Sequence, residues 1–232
     1  MLTRPEPDAQ RTAAVLNERG HDVVIAPLLR IEAVTDAPIA AGSWAAILIT
    51  SANAAHAIKA REWVEQLRRI PVFAVGRRSA QAMRVAGFAD VVSAEGDVGD
   101  LARLAAARTH PGAPVLYLAG EQRSGDLDGT LRSRGFAVET VVVYRASTVA
   151  SLPAAAVAAL AEGVDGVLHF SRRSAEVFVN AASGAGLLAP ALKPVQFCLS
   201  SQVAEPLARA GATMIRIAPQ PAEAALMKIV GN

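Results

Sequence analysis

Small, hydroxylated and basic residues follow several apolar runs of this sequence, and they are its most evident candidates for chemistry. Each group stands between a predicted strand and a predicted helix. Backbone N–H groups and the macrodipole at a helix N-terminus favour anions, and small side chains let an anion approach the backbone. The groups are Thr3 and Arg4; Thr50, Ser51, Ala52 and Asn53; Gly76, Arg77, Arg78 and Ser79; Ser171, Arg172, Arg173 and Ser174; and Ser200, Ser201 and Gln202.

These loops have two interpretations. Ser, Thr and Asn are ordinary N-cap residues, and capping alone accounts for any single loop. Several such loops, with arginines added, favour a site for a polyanionic small molecule. The sequence contains no GxxxxGK[ST], GxGxxG or GxSxG motif and no readable Ser-His-Asp arrangement. This thin catalytic inventory indicates a reaction that depends on orienting the substrate more than on a strong nucleophile.

A tyrosine ends the apolar run in "VETVVVYRAST", residues 138–148. Tyr144 is one of only two tyrosines in the chain, and Arg145 and Ser147 follow it. Its hydroxyl is either aimed at a substrate, or caps a nearby carbonyl while the ring packs. The other tyrosine, Tyr117, lies inside a predicted strand, and we expect it to be a silent control.

Composition narrows the class of protein. The chain has 232 residues, of which 52% are hydrophobic, and its net charge of +2 is too small to indicate nucleic-acid binding. Cys198, alone in an apolar run, predicts a buried thiol, and the four histidines show no metal-ligand spacing, so we expect no metal. The start "MLTRPEPDAQR" lacks a signal-peptide core, and no apolar stretch is long enough to span a bilayer. We therefore expect a soluble cytoplasmic protein.

Short apolar runs alternate with amphipathic stretches throughout the chain. Residues 8–19 predict a helix that ends at Gly20. The alternation predicts an α/β fold of mostly parallel sheets with helices on both faces. The predicted strands are "DVVIAPLL", "AAILIT", "VFAV", "DVVSA", "PVLYLAG", "AVETVVVY", "GVLHF", "VQFCLS" and "TMIRIA".

The two halves of the sequence also resemble each other. "AVGRRSAQAMRVAGFADVVSAEG" aligns with "CLSSQVAEPLARAGATMIRIAPQ", which places Gly87 on Gly211. "ILITSANAA" aligns with "VLHFSRRSA", and "LNERGHDV" with "LRSRGFAV", in the same order in each half. Any two α/β units share Ala-rich helices that end in Gly, but the common order and spacing favour a duplication. We therefore expect two similar α/β domains.

The sequence resembles the uroporphyrinogen-III synthase family of the heme pathway. Each of the matching motifs is loose, but together they cover nearly the whole chain in the family's order. Members of the family usually carry several apolar residues before "TRP", whereas only Met1 and Leu2 precede it here, so we expect either a late start or a clipped first strand. The motifs are "TRP", "GHDVVIAPLLRIEAV", "ILITSANAA", "VFAVGRRSAQAMRVAGF", "AEGDVGDLARL", "VVVYRAS", "VLHFSRRSA", "CLSSQVAEPLARAG" and "IAPQPAEAALMKIV".

The resemblance implies two three-layer α/β domains with the active site in the cleft between them. One domain would combine residues 1–28 and 150–232, and the other would comprise residues 37–141. Residues 29–36 and 142–149 would be the two linker strands.

The resemblance also implies a cofactor-independent cyclising hydro-lyase of porphyrin biosynthesis. It would convert hydroxymethylbilane, a polycarboxylate tetrapyrrole, to uroporphyrinogen III with ring D inverted. Tyr144 would act near the leaving hydroxyl, and we expect a monomer without nucleic-acid or membrane partners. The alternative is a non-catalytic tetrapyrrole-binding or regulatory module; a sugar-phosphate binder is a weaker one. The predicted substrate-binding residues are Arg4, Thr50, Ser51, Asn53, Gly76, Arg77, Ser171, Arg172, Ser200, Ser201 and Gln202.

Overall fold

The computed structural model describes residues 1–37, 39, 42–123 and 125–231. Positions 38, 40, 41, 124 and 232, which fall inside the two predicted domains, lie outside the described residues. The chain forms two compact units: unit 1 is Met1–Arg30 with Ser147–Asn232, and unit 2 is Ile31–Ala146.

Strands and helices alternate along most of the chain. The strands are β1 Leu29–Ala33, β2 Ala46–Ile49, β3 Val72–Ala74, β4 Val91–Ser93, β5 Pro114–Gly120, β6 Ala137–Thr148, β7 Gly166–His169, β8 Val195–Cys198 and β9 Ile215–Ile217. The helices are α1 Asp8–Glu18, α2 Ala52–Ile58, α3 Val64–Leu67, α4 Arg77–Val85, α5 Val98–Arg108, α6 Leu127–Arg132, α7 Ala154–Glu162, α8 Arg172–Gly184, α9 Leu188–Leu192, α10 Ser201–Arg209 and α11 Glu223–Ile229.

Unit 2 is built on a sheet with the strand order β1-β6-β5-β2-β3-β4. The pairs β6–β5, β5–β2, β2–β3 and β3–β4 are parallel. All residues of the central strand β2 are buried. Because alternate side chains point to opposite sides of a sheet, β2 is covered on both faces. Ile47 and Ile49 pack in a core with α2 and α4, whereas Ala46 and Leu48 pack in another with α5 and α6. Helices therefore cover both faces of this sheet.

Unit 1 repeats this construction around the parallel strands β7, β8 and β9. Val167 and Cys198 pack in a core with α8 and α10. Leu168 and Phe197 point the other way and pack with α1 and α11. Near the start of the chain, Leu2 makes parallel bridges to Ile25 and Leu168.

The expected α/β fold with mainly parallel sheets is confirmed, and β5 coincides with the predicted "PVLYLAG". The strand predicted over "DVVIAPLL" is wrong: the described chain there makes an isolated bridge at Ile25, and β1 begins only at Leu29. The segment pairs with the short stretch at Leu2 and Thr3, and Pro27 has no N–H to extend a ladder. This apolar run lacks a neighbouring strand long enough for a continuous ladder, and it therefore does not form a strand.

The internal sequence repeat corresponds to equivalent structural units. The segment β3-α4-β4 matches β8-α10-β9, and β2-α2 matches β7-α8. Gly87 and Gly211 follow α4 and α10 with φ of 96° and 100°, a left-handed conformation that favours glycine. Ser51 and Ser171 are the N-cap residues of α2 and α8. The aligned residues therefore have the same structural roles in the two halves. None of the described helices has the length and apolar character needed to cross a membrane.

Candidate functional site

Several predicted site residues of unit 2 lie at one edge of its sheet. The strands β2, β3, β5 and β6 are parallel, so their carboxyl ends meet at the same edge, where open α/β sheets bind ligands. Thr50 directly follows β2, and Gly76 follows β3 before α4. Gly120 ends β5 and is paired in register with Tyr144 of β6. This edge therefore brings the predicted residues of separate loops together with Tyr144.

The position of Tyr144 is fixed from two sides. Its backbone carbonyl accepts a hydrogen bond from the Glu121 N–H at 2.9 Å. Its half-buried side chain packs against the core that contains α2 and α4. The ring also lies so close to Gly120 that a Cβ there would be 2.5 Å from the Tyr144 Cζ and 2.7 Å from its hydroxyl oxygen. The phenol is therefore held at the end of the neighbouring strand.

Tyr117 contributes a second hydroxyl to the same region, which the sequence reasoning missed. Its side chain is buried, and its hydroxyl lies 3.0 Å from Thr50 Oγ1. Burial raises the pKa of Tyr117, the hydrogen bond with Thr50 opposes that rise, and Tyr144 is near enough to add to it. A lone polar side chain within the apolar "PVLYLAG" was the available signal. The hydroxyl of Tyr117 therefore contacts a predicted substrate-binding residue.

The helix N-termini differ in how they are capped. Ser51 Oγ accepts the Asn53 N–H at 3.2 Å, and Ser171 Oγ accepts the Ser174 N–H at 3.1 Å. By contrast, Gly76 and Ser200, the N-cap residues of α4 and α10, make no side-chain cap bond. Ordinary capping thus explains the serines of α2 and α8, whereas α4 and α10 leave first-turn N–H groups without a side-chain cap.

The predicted residues of unit 1 gather at the equivalent edge of its own sheet. Ser171 follows β7 and Ser200 follows β8, and these strands are parallel. Arg172 opens α8, while Ser201 and Gln202 open α10 with exposed side chains. Each unit therefore carries its own group of small, hydroxylated and basic residues at strand ends.

Arg77 and Arg172 are already engaged by carboxylates of the chain. Arg77 makes a two-pronged contact with Glu95, with both N···O distances at 2.8 Å, although 82% of its side chain is exposed. Arg172 contacts Glu176 at 2.9 Å and Glu205 at 3.0 Å, and its side chain is 48% exposed. Exposed ion pairs contribute little to stability, so a carboxylate ligand could displace these partners at little cost.

Arg4 has a different environment. Its side chain is only 10% exposed and contacts Asp8 at 3.0 Å and Glu223 at 2.9 Å. Its guanidinium also lies 4.1 Å from the centre of the Phe170 ring. Burial lowers the pKa of Arg4, while Glu223 opposes that shift. These contacts join α1, α11 and the loop after β7, which gives Arg4 a structural task beside its predicted role in substrate binding.

The sequence profile of the family described as uroporphyrinogen-III synthase HemD matches residues 10–228. The chain belongs to this family. The match covers both units and all the predicted site residues except Arg4. The family match supports a uroporphyrinogen-III synthase function and does not favour the non-catalytic alternative.

Solved structures of the family share the fold. The uroporphyrinogen-III synthetase of Helicobacter pylori 26695 aligns with a TM-score of 0.65 and 20% identity, over 90% of this chain and 94% of that one. A mutant uroporphyrinogen III synthase from the extremely thermophilic bacterium Thermus thermophilus aligns with a TM-score of 0.50 and 15% identity, over 98% and 96% of the two chains. A search of curated proteins finds no match.

Two further groups that could do chemistry are buried in the core of unit 1. Burial raises the pKa of the Cys198 thiol to about 12, which agrees with the predicted core thiol. Burial lowers the pKa of His169 to about 4, and its Nε2 lies 2.9 Å from Gln196 Oε1. Among the described residues, no cluster of His, Cys, Asp and Glu could hold a metal ion.

Proposed function

We propose that this chain closes hydroxymethylbilane to uroporphyrinogen III, with loss of water and inversion of ring D, and that Tyr144 assists the departure of the substrate hydroxyl. The observation that carries the role of Tyr144 is its placement. Its phenol lies at the carboxyl edge of a parallel sheet, beside Gly120, at the same edge as the loops that begin at Thr50 and Gly76.

The reaction makes modest demands on the protein. The pyrrole nitrogen supplies electrons as the hydroxyl leaves, which gives an azafulvenium-type cation and water. The substituted carbon of ring D attacks this cation, and the resulting spiro intermediate rearranges and closes. The phenol of Tyr144 would donate a hydrogen bond to the leaving oxygen. Such acid assistance contributes about 10² to 10⁴ in rate, and less when the substrate provides its own push. Control of the substrate's conformation then decides which isomer forms.

Recognition of the polycarboxylate would use backbone N–H groups and exchangeable arginines. The uncapped N-termini of α4 and α10 offer N–H donors and a favourable dipole for carboxylates. Arg77 and Arg172, which hold exposed carboxylates of the chain, would exchange them for carboxylates of the substrate. Thr50, Ser51, Asn53 and the serines and Gln202 near α8 and α10 would line the remainder of the site.

The proposal places the substrate between two domains, residues 1–28 with 150–232 and residues 37–141. Linker strands over 29–36 and 142–149 would join them. In support, the chain passes from one compact unit to the other within β1 and within β6. We further propose that the chain acts as a cytoplasmic monomer. It would act without a cofactor, because the chemistry described above requires none.

An isomer assay tests this function. The protein is incubated with freshly generated hydroxymethylbilane, and the products are oxidised to porphyrins and separated by chromatography. Isomer III should dominate, since unassisted closure yields the uninverted isomer I. A boiled sample is the control. If only isomer I forms at the uncatalysed rate, the chain is a binding module and the proposal is wrong.

A further inference from the structure

Gly120 and the ring of Tyr144 are in very close contact at the edge of the unit 2 site. A Cβ built on Gly120 would lie 2.5 Å from Cζ, 2.7 Å from the hydroxyl oxygen and 2.8 Å from Cε2 of Tyr144. Real Cβ atoms do not come this close to other heavy atoms. Any side chain at position 120 would therefore occupy the volume in which the end of the phenol ring lies.

The backbone at Gly120 does not itself require glycine. Gly120 is not among the described glycines with a positive φ, and it is the last residue of β5. The requirement is one of space. It coincides with an irregularity in the β5–β6 pairing between Ala119 and Gly120, which brings Tyr144 opposite Gly120. After this shift the Glu121 N–H binds the Tyr144 carbonyl, so the backbone of the tyrosine is fixed next to the open position.

We infer that Gly120 is a positioning residue: it sets where the hydroxyl of Tyr144 lies by leaving room for the ring against the end of β5. The inference rests on the proposed role of Tyr144 in the reaction. Gly120 has no side chain with which to act on substrate. Because position 120 has no side chain, the ring of Tyr144 can lie across the end of β5 instead of turning away from it.

This geometry predicts where the effect of a methyl group would appear. The clashing atoms belong to the far end of a side chain that is half-buried, not to backbone. The ring can therefore turn aside while the fold persists, but the hydroxyl oxygen, 2.7 Å from the new carbon, must move. Misplacement of a reacting group by about 1 Å can reduce a rate by about 100-fold. Gly120→Ala should thus affect catalysis more than folding.

The test is a double-mutant cycle between the two positions, with kcat, KM and melting temperature measured for each variant using hydroxymethylbilane. We expect Gly120→Ala to lower kcat by about tenfold or more, with KM changed by less than about threefold. In the Tyr144→Ala background, where the ring is absent, Gly120→Ala should lower neither kcat nor the melting temperature further. Additive losses of kcat in the two backgrounds would overturn the inference.

Two other glycines provide matched controls. Among the described residues, a Cβ at Gly184 would meet no heavy atom within 4 Å beyond its chain neighbours and the backbone of α8, so Gly184→Ala should leave kcat unchanged. A Cβ at Gly166 would lie 2.6 Å from Phe197 in the core of unit 1, so Gly166→Ala should lower the melting temperature without the selective loss of kcat. If Gly166→Ala reproduces the kinetic pattern of Gly120→Ala, the pattern reflects general strain and the inference is wrong.

The variant Tyr144→Phe, measured beside the cycle, separates this inference from the proposed role of Tyr144. If Tyr144→Phe keeps full activity, the role of Tyr144 fails, and the positioning role fails with it. If Tyr144→Phe is impaired but Gly120→Ala is not, only the inference about Gly120 fails. If Gly120→Ala alone does not fold, a folded Tyr144→Ala/Gly120→Ala double variant supports the steric contact, and an unfolded one overturns it.

Discussion

The two tyrosines of the chain differ in what surrounds their hydroxyls. Tyr117 is buried, and its hydroxyl is engaged with Thr50 at 3.0 Å. The half-buried Tyr144 lies one strand away, across the end of β5. A phenol at a strand end, close to residues of other loops, can reach a bound molecule, whereas a buried phenol paired with Thr50 serves first to satisfy its own hydrogen bond. This difference in environment explains why the proposed chemistry is assigned to Tyr144.

We expect Tyr144→Phe to lower turnover by roughly tenfold or more while the fold is kept. The ring and its packing remain, and one hydrogen bond is lost. Such a bond contributes about 0.5 to 1.5 kcal/mol net, and more where charge develops, while about 1.36 kcal/mol corresponds to a factor of ten in rate. Steady-state turnover of hydroxymethylbilane, with the isomer ratio of the product, measures the effect. The push from the substrate's own pyrrole should leave some activity.

Tyr117→Phe is the companion variant. We expect near-normal turnover, because the site proposal gives this hydroxyl no contact with the reacting atoms. The melting temperature should fall slightly, since Thr50 loses its partner. Full activity in Tyr144→Phe, with isomer III still dominant, would show instead that Tyr144 is structural.

The functional role of a residue could be predicted from the sequence only when its type stood out from those of its neighbours. Tyr144, at the boundary between an apolar run and polar residues, did so. Gly120 and Tyr117 did not, because their significance depends on pairing between β5 and its neighbours, and this register is set by tertiary contacts. A glycine that makes room for a ring on the next strand looks in sequence like any other strand end.

At the scale of helices, loops with similar sequences differ in whether the N-cap side chain forms a hydrogen bond with its own helix. Ser171 caps α8 and is bonded to Ser174, whereas Ser200 makes no such bond and Ser201 is exposed in the first turn of α10. The sequence could predict that a helix begins at each loop. It could not predict which N-cap side chain bonds its own helix, because that depends on a rotamer.

Replacement of Ser201 and of Ser171 by Leu should therefore have different effects. Ser201→Leu should weaken binding of a tetrapyrrole such as uroporphyrin by blocking approach to the N–H groups of α10, with an unchanged melting temperature. Ser171→Leu should weaken binding too, but it also removes a cap, a loss of about 0.5 to 2 kcal/mol in stability. Titration calorimetry and thermal unfolding measure the two effects. Unchanged affinity in both variants would mean that neither serine lies on the path of the ligand to a helix N-terminus.

At the scale of the whole molecule, short apolar runs that alternate with amphipathic stretches predicted the α/β fold class. This pattern arises because helices cover both faces of each sheet. Buried parallel strands such as β2 and β7 read as short apolar runs for this reason. The pattern failed at "DVVIAPLL", where composition favours a strand but the paired stretch is only two residues long. The grouping of residues 1–28 with 150–232 was inferred from the family resemblance and stays a prediction, because no local pattern links segments so distant in sequence.

Ligand binding should make the molecule more compact if the substrate lies between the proposed domains. Only two strands would connect them, so hinge motion is the default expectation for such an arrangement. Small-angle X-ray scattering with and without uroporphyrin should show a smaller radius of gyration in the complex. Identical profiles at saturating ligand would argue against closure.

The two units should also respond differently to acid. Burial lowers the pKa of His169 from 6.5 to about 4, so the unfolded chain takes up this proton first as the pH falls. With respect to His169, unit 1 therefore has its full free energy of unfolding above pH 6.5. This free energy decreases progressively between pH 6.5 and pH 4. Between pH 7 and pH 5 the loss amounts to about 2 kcal/mol.

Two spectroscopic probes can resolve this difference. Both tryptophans of the chain, Trp44 and Trp63, pack against a core of unit 2, so their fluorescence reports on that unit. Far-ultraviolet circular dichroism reports on the helices of both units. In urea titrations, we expect the two signals to separate as the pH is lowered from 7 to 5, with part of the circular dichroism lost before the fluorescence changes. The control is His169→Gln, which cannot take up the proton and should reduce the separation between the two transitions at pH 5. Fluorescence and circular dichroism transitions that coincide at both pH values would mean that the units unfold together and that His169 does not set the acid stability of one of them.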